Sequence, residues 1–247
     1  ALLLVLLAWG IKPGDAVFTT SFSFFATAEV IKLLGATPIF VDIDINTWNI
    51  CPEKLEMEIE NIIVKKNLIP KVIIPVDLFG FPCDYDKIIE CAKKYDIHVL
   101  EDAAQSFGSK LNQKRAGSFG NAAITSFYPS KPLGCYGDGG AIFTDDDILA
   151  EKLFSLRNHG VSENKFIHNS IGINGRLDTI QAAILHQKLK IFNKELELRS
   201  KIAAWYKEKL KGHFVLQEIG NNRINWAVFS LLAEDSLVRL NIQKNLK

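Results

Sequence analysis

The sequence predicts an α/β fold, a mostly parallel sheet with helices on both faces. Three observations predict it. Short apolar runs alternate with longer helical patterns along most of the chain, a rhythm that calls for right-handed strand-helix-strand crossovers. At 247 residues and 48% hydrophobic content, the chain can bury one sizeable core. No internal repeat or low-complexity stretch interrupts the pattern.

The elements follow in order. The opening "ALLLVLLAWG" is too short to cross a bilayer, which needs about 20 apolar residues, and no basic segment precedes it. It reads as a buried helix stopped at Gly10, with Pro13 and Gly14 beyond. Because it opens on Ala in what reads as mid-helix, a preceding segment is expected. "AVFTT" is strand-like and "FFATAEVIKLLG" helical; "TPIFVDID" is followed by the helix candidate "PEKLEMEIENIIVKK". "KVIIPVDL" leads to the helix candidate "DYDKIIECAKKYD", and "IHVLEDAA" reads as the next strand. "AAITSFYPS" and "AIFT" complete the strand-like runs. From about Arg176 to Leu210 helical periodicity persists long enough for one long helix or two consecutive ones. The expected organisation is a large domain over 1–175, connecting helices over 176–211, and a strand-containing second unit over 212–247 that stops early.

Charge and cysteine usage narrow the function classes. Twenty-nine basic residues nearly cancel 28 acidic ones, leaving +1, and no window shows the basic clustering of a nucleic-acid footprint. Cys51, Cys83, Cys91 and Cys135 lack CxxC spacing, which favours reduced thiols in a cytoplasmic protein over a disulfide framework or a metal site. Neither nucleic acid nor membrane is an expected partner, and no metal is expected.

In sheets of this kind ligands gather at the carboxyl ends of strands. Asp102 ends one strand-like run, where a carboxylate leaving the core needs a cationic or hydrogen-bonding partner, or else serves as a helix N-cap. "SFYPSKPLGCYGDGG" brings Ser126 and Lys131 to the same rim. Lys131 is either an ordinary surface lysine or one placed for Schiff-base chemistry, where partial burial lowers its pKa. Pro129 and Pro132 fix the backbone around it, and the glycines that follow let the chain turn closely. "GDGGA" is no dinucleotide fingerprint, since its spacing is wrong and a strand follows it.

Four separated motifs, "EDAAQSFG", "TSFYPSKPLGCYGDGGAIFT", "RNHG" and "GINGRLDTIQAAIL", occur in one order. Together they resemble the DegT/DnrJ/EryC1/StrS family of pyridoxal-phosphate-dependent nucleotide-sugar aminotransferases, of the type I aspartate-aminotransferase fold. The resemblance thins over the last 40 residues or so, and a part of a smaller C-terminal domain is what it implies there. It implies that Lys131 carries pyridoxal 5'-phosphate as a Schiff base and then shuttles a proton. Asp102 is implied to pair with the ring nitrogen, whose protonation makes the ring an electron sink. Gln105 is implied beside the ring hydroxyl, Ser126 at the phosphate, and Phe24 stacked on the ring. Asn174 and Arg176 are implied to reach the neighbouring subunit's phosphate and substrate carboxylate, so that a homodimer shares its sites.

The same resemblance implies glutamate as amino donor, a keto nucleotide sugar as acceptor, and ping-pong kinetics. "PSKPLGCYGDGGAIFT" with "RLDTIQAAIL" looks nearest to enzymes that aminate the 3-keto group of a UDP-2-acetamido-hexuronate for surface polysaccharide. Departures are few: Thr20 stands where proline is common and Ser23 where threonine is. The family's phosphate-gripping Gly-Thr pair sits just before the helix that begins at Ala1, and its histidine- and tyrosine-containing substrate segment lies past Lys247. Two other readings stand beside transamination. One is the family's dehydratase branch, which carries histidine where Lys131 stands here; the other is a non-catalytic fragment that keeps the fold.

Overall fold

A computed structural model describes residues 1–218 and 222–246. Residues 219–221 and 247, inside the expected second unit, lie outside that description. The helices are α1 Leu2–Ala8, α2 Ala26–Leu33, α3 Pro52–Lys65, α4 Tyr85–Lys94, α5 Asp147–Leu156, α6 Thr179–Lys209 and α7 Ser236–Asn245. The strands are β1 Asp15–Thr20, β2 Thr37–Val41, β3 Ile69–Ile73, β4 His98–Asp102, β5 Lys110–Leu111, β6 Lys114–Arg115, β7 Ala122–Ser126 and β8 Gly140–Phe143. Six of them form one sheet in the order β2-β1-β3-β4-β7-β8, parallel except for the antiparallel pair β7–β8.

Strand side chains alternate between faces, and here each face is a core. Val17, Val72, Ile74, Leu100 and Ile124 pack with α1, Ile31 of α2, and Leu149, Leu153 and Leu156 of α5. Their neighbours Phe18, Ile73 and Val99 point the other way, onto Leu55, Ile59 and Ile62 of α3 and Tyr85, Ile88 and Cys91 of α4. The expectation of helices on both faces is met. Helix α1 is buried at Leu2, Leu4, Val5, Leu6 and Ala8. It ends with Gly10 at φ +72°, the Gly10 and Ile11 N–H groups donating to the Leu7 and Leu6 carbonyls. That is a Schellman stop, for which glycine is suited because it enters the left-handed region without strain.

Residues 179–209 form one long helix, the first of the two alternatives expected there. Other features differ from expectation. Helix α5, capped by Asp146 Oδ1 accepting from Leu149 N–H at 3.0 Å, and the β5–β6 hairpin were not anticipated. After Leu210 the described residues hold no multi-residue strand; a single bridge joins Val215 to Leu232, and α7 follows. Ile224 and Asn225 are buried, and Lys110 N–H donates to the Arg223 carbonyl at 2.7 Å. This stretch therefore packs on the sheet-bearing unit. All four cysteines are free thiols. No helix among the described residues is long and apolar enough to cross a membrane.

Candidate active site

The carboxyl ends of β4 and β7 and the N-terminal end of α2 open onto one cleft of about 1680 Å³. That exceeds the roughly 300–1,000 Å³ of ordinary small-molecule pockets and leaves room for a ligand of two parts. Phe24, Asp102, Gln105, Ser126, Lys131 and Arg176 all line it. Residues separated by up to 152 positions in the chain meet there because parallel strands deliver their ends to one edge.

Asp102 is the last residue of β4 and only 4% exposed. Thr27 Oγ1 donates to its Oδ2 at 2.9 Å, and Ala104 N–H to its Oδ1 at 3.2 Å. A turn follows it, so it caps no helix. Burial pushes its carboxyl above the ordinary range, while Thr27, Ala104 and the Lys131 charge pull it back.

Lys131 is half-buried, and its N–H donates to the Tyr128 carbonyl at 2.8 Å. Desolvation lowers the pKa of its amine, opposed by the Asp102 charge. A lowered pKa enlarges the neutral, nucleophilic fraction. The bend after it depends on Gly134, where an added Cβ would lie 2.5 Å from the Pro129 carbonyl oxygen and 2.7 Å from that of Tyr128. The close approach is thus of the loop to itself. Helix α6 holds the loop from outside, Lys188 Nζ donating to the Gly134 carbonyl and Tyr136 N–H to Gln181 Oε1.

The remaining candidates divide. Ser126 ends β7, its Oγ accepting from Tyr128 N–H at 3.3 Å. Gln105 Oε1 accepts from Phe79 N–H at 2.8 Å. Phe24 offers an aromatic face to the cleft and is 72% exposed. Arg176 sits on the rim, Nη1 donating to Asn158 Oδ1 at 2.6 Å. Asn174 is exposed and does not line its own chain's cleft.

Sequence reasoning missed two contributors. Thr27 is a buried hydroxyl on α2, and nothing local connects it to a carboxylate 75 residues away. Ser23 Oγ lines the cleft and is, among the described residues, the one buried side-chain polar atom without a hydrogen-bond partner. A buried orphan hydroxyl is costly unless a ligand completes it. An amine beside a buried carboxylate, hydroxyls at a strand end and an exposed ring fit a planar, phosphorylated aldehyde cofactor.

Residues 1–247 match the DegT/DnrJ/EryC1/StrS aminotransferase family. The chain is 50% identical over 211 residues to the UDP-2-acetamido-2-deoxy-3-oxo-D-glucuronate aminotransferase of Pseudomonas aeruginosa, covering 85% of this chain and 56% of that protein. The chain spans about half the length of the curated relatives it matches. A crystal structure of a DegT DnrJ EryC1 StrS aminotransferase from Brucella abortus superposes with TM-score 0.95 at 46% identity, covering 99% of this chain and 66% of that one. A GDP-4-keto-6-deoxymannose-3-dehydratase superposes with TM-score 0.89 at 28% identity, over 99% and 68% of the two chains.

Proposed function

The chain belongs to the DegT/DnrJ/EryC1/StrS aminotransferase family, and from that premise we propose that it transfers the amino group of glutamate to a keto nucleotide sugar. The acceptor proposed is a UDP-linked 3-keto-2-acetamido hexuronate, made for surface polysaccharide. The observation that carries the reading is the meeting of Lys131, with its lowered amine pKa, and buried Asp102 in one cleft.

The chemistry that pyridoxal phosphate supplies when bound is an electron sink for the charge left on a substrate carbon after deprotonation. Asp102, aligned by Thr27 and Ala104, favours a proton on the ring nitrogen. Lys131 Nζ, half-buried in the cleft with its amine pKa lowered, is the residue that would hold the cofactor's aldehyde carbon and supply an amine able to take and return a proton. Ser126 Oγ and Ser23 Oγ are the hydroxyls that would hold the phosphate, and the Phe24 ring would offer its face to the cofactor's ring. Glutamate gives up the hydrogen and amino group of its α-carbon and leaves as 2-oxoglutarate, and the sugar's C=O becomes CH–NH2, so atoms balance over two half-reactions. Lys131 speaks against the dehydratase reading, because that branch carries histidine at this position.

Asn174 and Arg176 are read as serving the site of a second copy in a homodimer, although Arg176 also lines the cleft of its own chain. Support comes from Asn174 lying outside its own cleft, and from Phe166 and Ile171, each 93% exposed in the loop before it. Mixing Lys131→Ala with Arg176→Ala chains should restore activity that each lacks alone; no recovery rejects shared sites.

The decisive experiment is incubation with pyridoxal phosphate, borohydride reduction and mass mapping. Stoichiometric label on Lys131 alone supports the reading and opens a screen of keto nucleotide sugars. No label, or label scattered over surface lysines, leaves a fold without this catalysis.

A further inference from the structure

Behind the candidate cofactor site lies a buried carboxylate that does not line the cleft. Asp77 is fully buried. Its Oδ1 accepts from Cys83 N–H at 3.0 Å and from Tyr85 Oη at 2.8 Å, and its Oδ2 accepts from Ser106 Oγ at 2.6 Å. Its own N–H donates to the Asp102 carbonyl at 3.2 Å. Asp77 therefore grips both ends of the turn 102–106, and that turn carries Gln105.

A second route runs through the 3₁₀ turn Leu78–Gly80, which Asp77 begins. Phe79 there has φ +61°, a left-handed conformation that is strained for a bulky residue. The conformation aims Phe79 N–H at Gln105 Oε1, 2.8 Å away. Asn225 Nδ2 holds the Gln105 main-chain carbonyl at 2.7 Å. A side-chain amide whose oxygen accepts a main-chain N–H cannot flip without setting donor against donor. The two Nε2 hydrogens are then what Gln105 has left to offer the cleft it lines.

We propose that Asp77 is a positioning residue which, through Ser106 and the Leu78–Gly80 turn, holds Gln105 as a hydrogen-bond donor toward the phenolic oxygen of the cofactor. The inference rests on the pyridoxal-phosphate reading above. Burial pushes Asp77 up to about 6, with Ser106, Cys83 and Tyr85 pulling it down, and the Glu101 carboxyl lies beside it. A donor at the phenolic oxygen draws charge from it. Without that donor the oxygen is more negative, and the nitrogen joining Lys131 to the cofactor keeps its proton to higher pH.

The test is a pH titration of the visible absorbance of the chain loaded with pyridoxal phosphate. Gln105→Leu is expected to raise the midpoint by about one pH unit, the worth of one hydrogen bond to a charged group. Asp77→Asn and Ser106→Ala should raise it by part of that. The double variant Gln105→Leu/Asp77→Asn should shift no further than Gln105→Leu alone, since Asp77 acts through Gln105. A purely structural role lowers the melting temperature and leaves the midpoint in place. An unmoved midpoint in Asp77→Asn, or additive shifts in the double variant, overturns the proposal; if Asp77→Asn does not fold, Ser106→Ala decides in the same way. Borohydride labelling run in parallel separates the two readings. Wild type without label on Lys131 sinks both, whereas labelled wild type with unmoved midpoints sinks only this one.

Discussion

Glu101 and Asp102 are consecutive on β4, and burial pushes both carboxyls upward, yet they face opposite sides of the sheet. Asp102 looks onto the cleft, with the Lys131 charge and the Thr27 hydroxyl beside it. Glu101 looks into a closed network, its two oxygens accepting from Gly117 N–H at 2.6 Å and Phe119 N–H at 2.8 Å, with the Asp77 carboxylate nearby. Burial and that neighbour push Glu101 up to about 9, so it holds a proton at neutral pH. Desolvation is common to both sides. What separates the two carboxylates, among the described residues, is the Lys131 charge and the opening on the Asp102 side.

The largest expected effect on this contrast comes from removing the cation. Lys131→Ala should lose the cofactor label and lower turnover by about 10³-fold or more, a rate assay being the check. Asp102→Asn keeps the shape but not the charge, and should cost about 10²-fold in turnover with the melting temperature little changed. Thr27→Val removes one donor to Asp102 at nearly constant volume; about tenfold slower turnover is expected, and an unaffected rate would show that the carboxylate is oriented by other means.

Glu101→Gln should act on stability alone. It turns one of two acceptors toward a main-chain N–H as a donor, costing about 1–3 kcal/mol in denaturant unfolding. Activity per folded molecule should stay near wild type; a loss comparable to that of Asp102→Asn would erase the distinction between the two sides. The pH profile sharpens it. Asp77 and Glu101 have folded pKa values of about 6 and about 9, above their ordinary 3.8 and 4.5, so the folded chain binds more protons than the unfolded one. Their contribution is present in full below those ordinary values and is lost as pH rises through about 6 and then about 9. Unfolding free energy measured from pH 5 to 9 should fall, and Glu101→Gln should flatten the upper part of the fall.

Much of this molecule was legible in one dimension. Short continuous apolar runs and longer helical patterns specify what must be buried, so β1 to β4, β7 and the helices between them were foreseen. Asp102 stood out as a charge at the end of an apolar strand, expensive unless partnered; Lys131 stood out through the family resemblance of its motif, since position alone left an ordinary surface lysine open. Helix α5 escaped, although Asp146 announces it as a cap; the β5–β6 hairpin escaped because its turn residues Asn112 and Gln113, both with positive φ, carry no glycine signal.

The sequence by itself determined the layered α/β architecture, the stop at Gly10 and the rim on which Lys131 and Asp102 sit, because burial periodicity and backbone stiffness are local properties. Only the tertiary structure decided that Thr27 orients Asp102, that Ser23 finds no partner among the described residues, and that Glu101 and Asp102 part company. It alone brought Asp77 under the Gln105 turn and Asn225 onto the Gln105 carbonyl. Hydrogen-bond partners 75 or 120 residues apart are selected by the folding of the sheet, and no local signal encodes them.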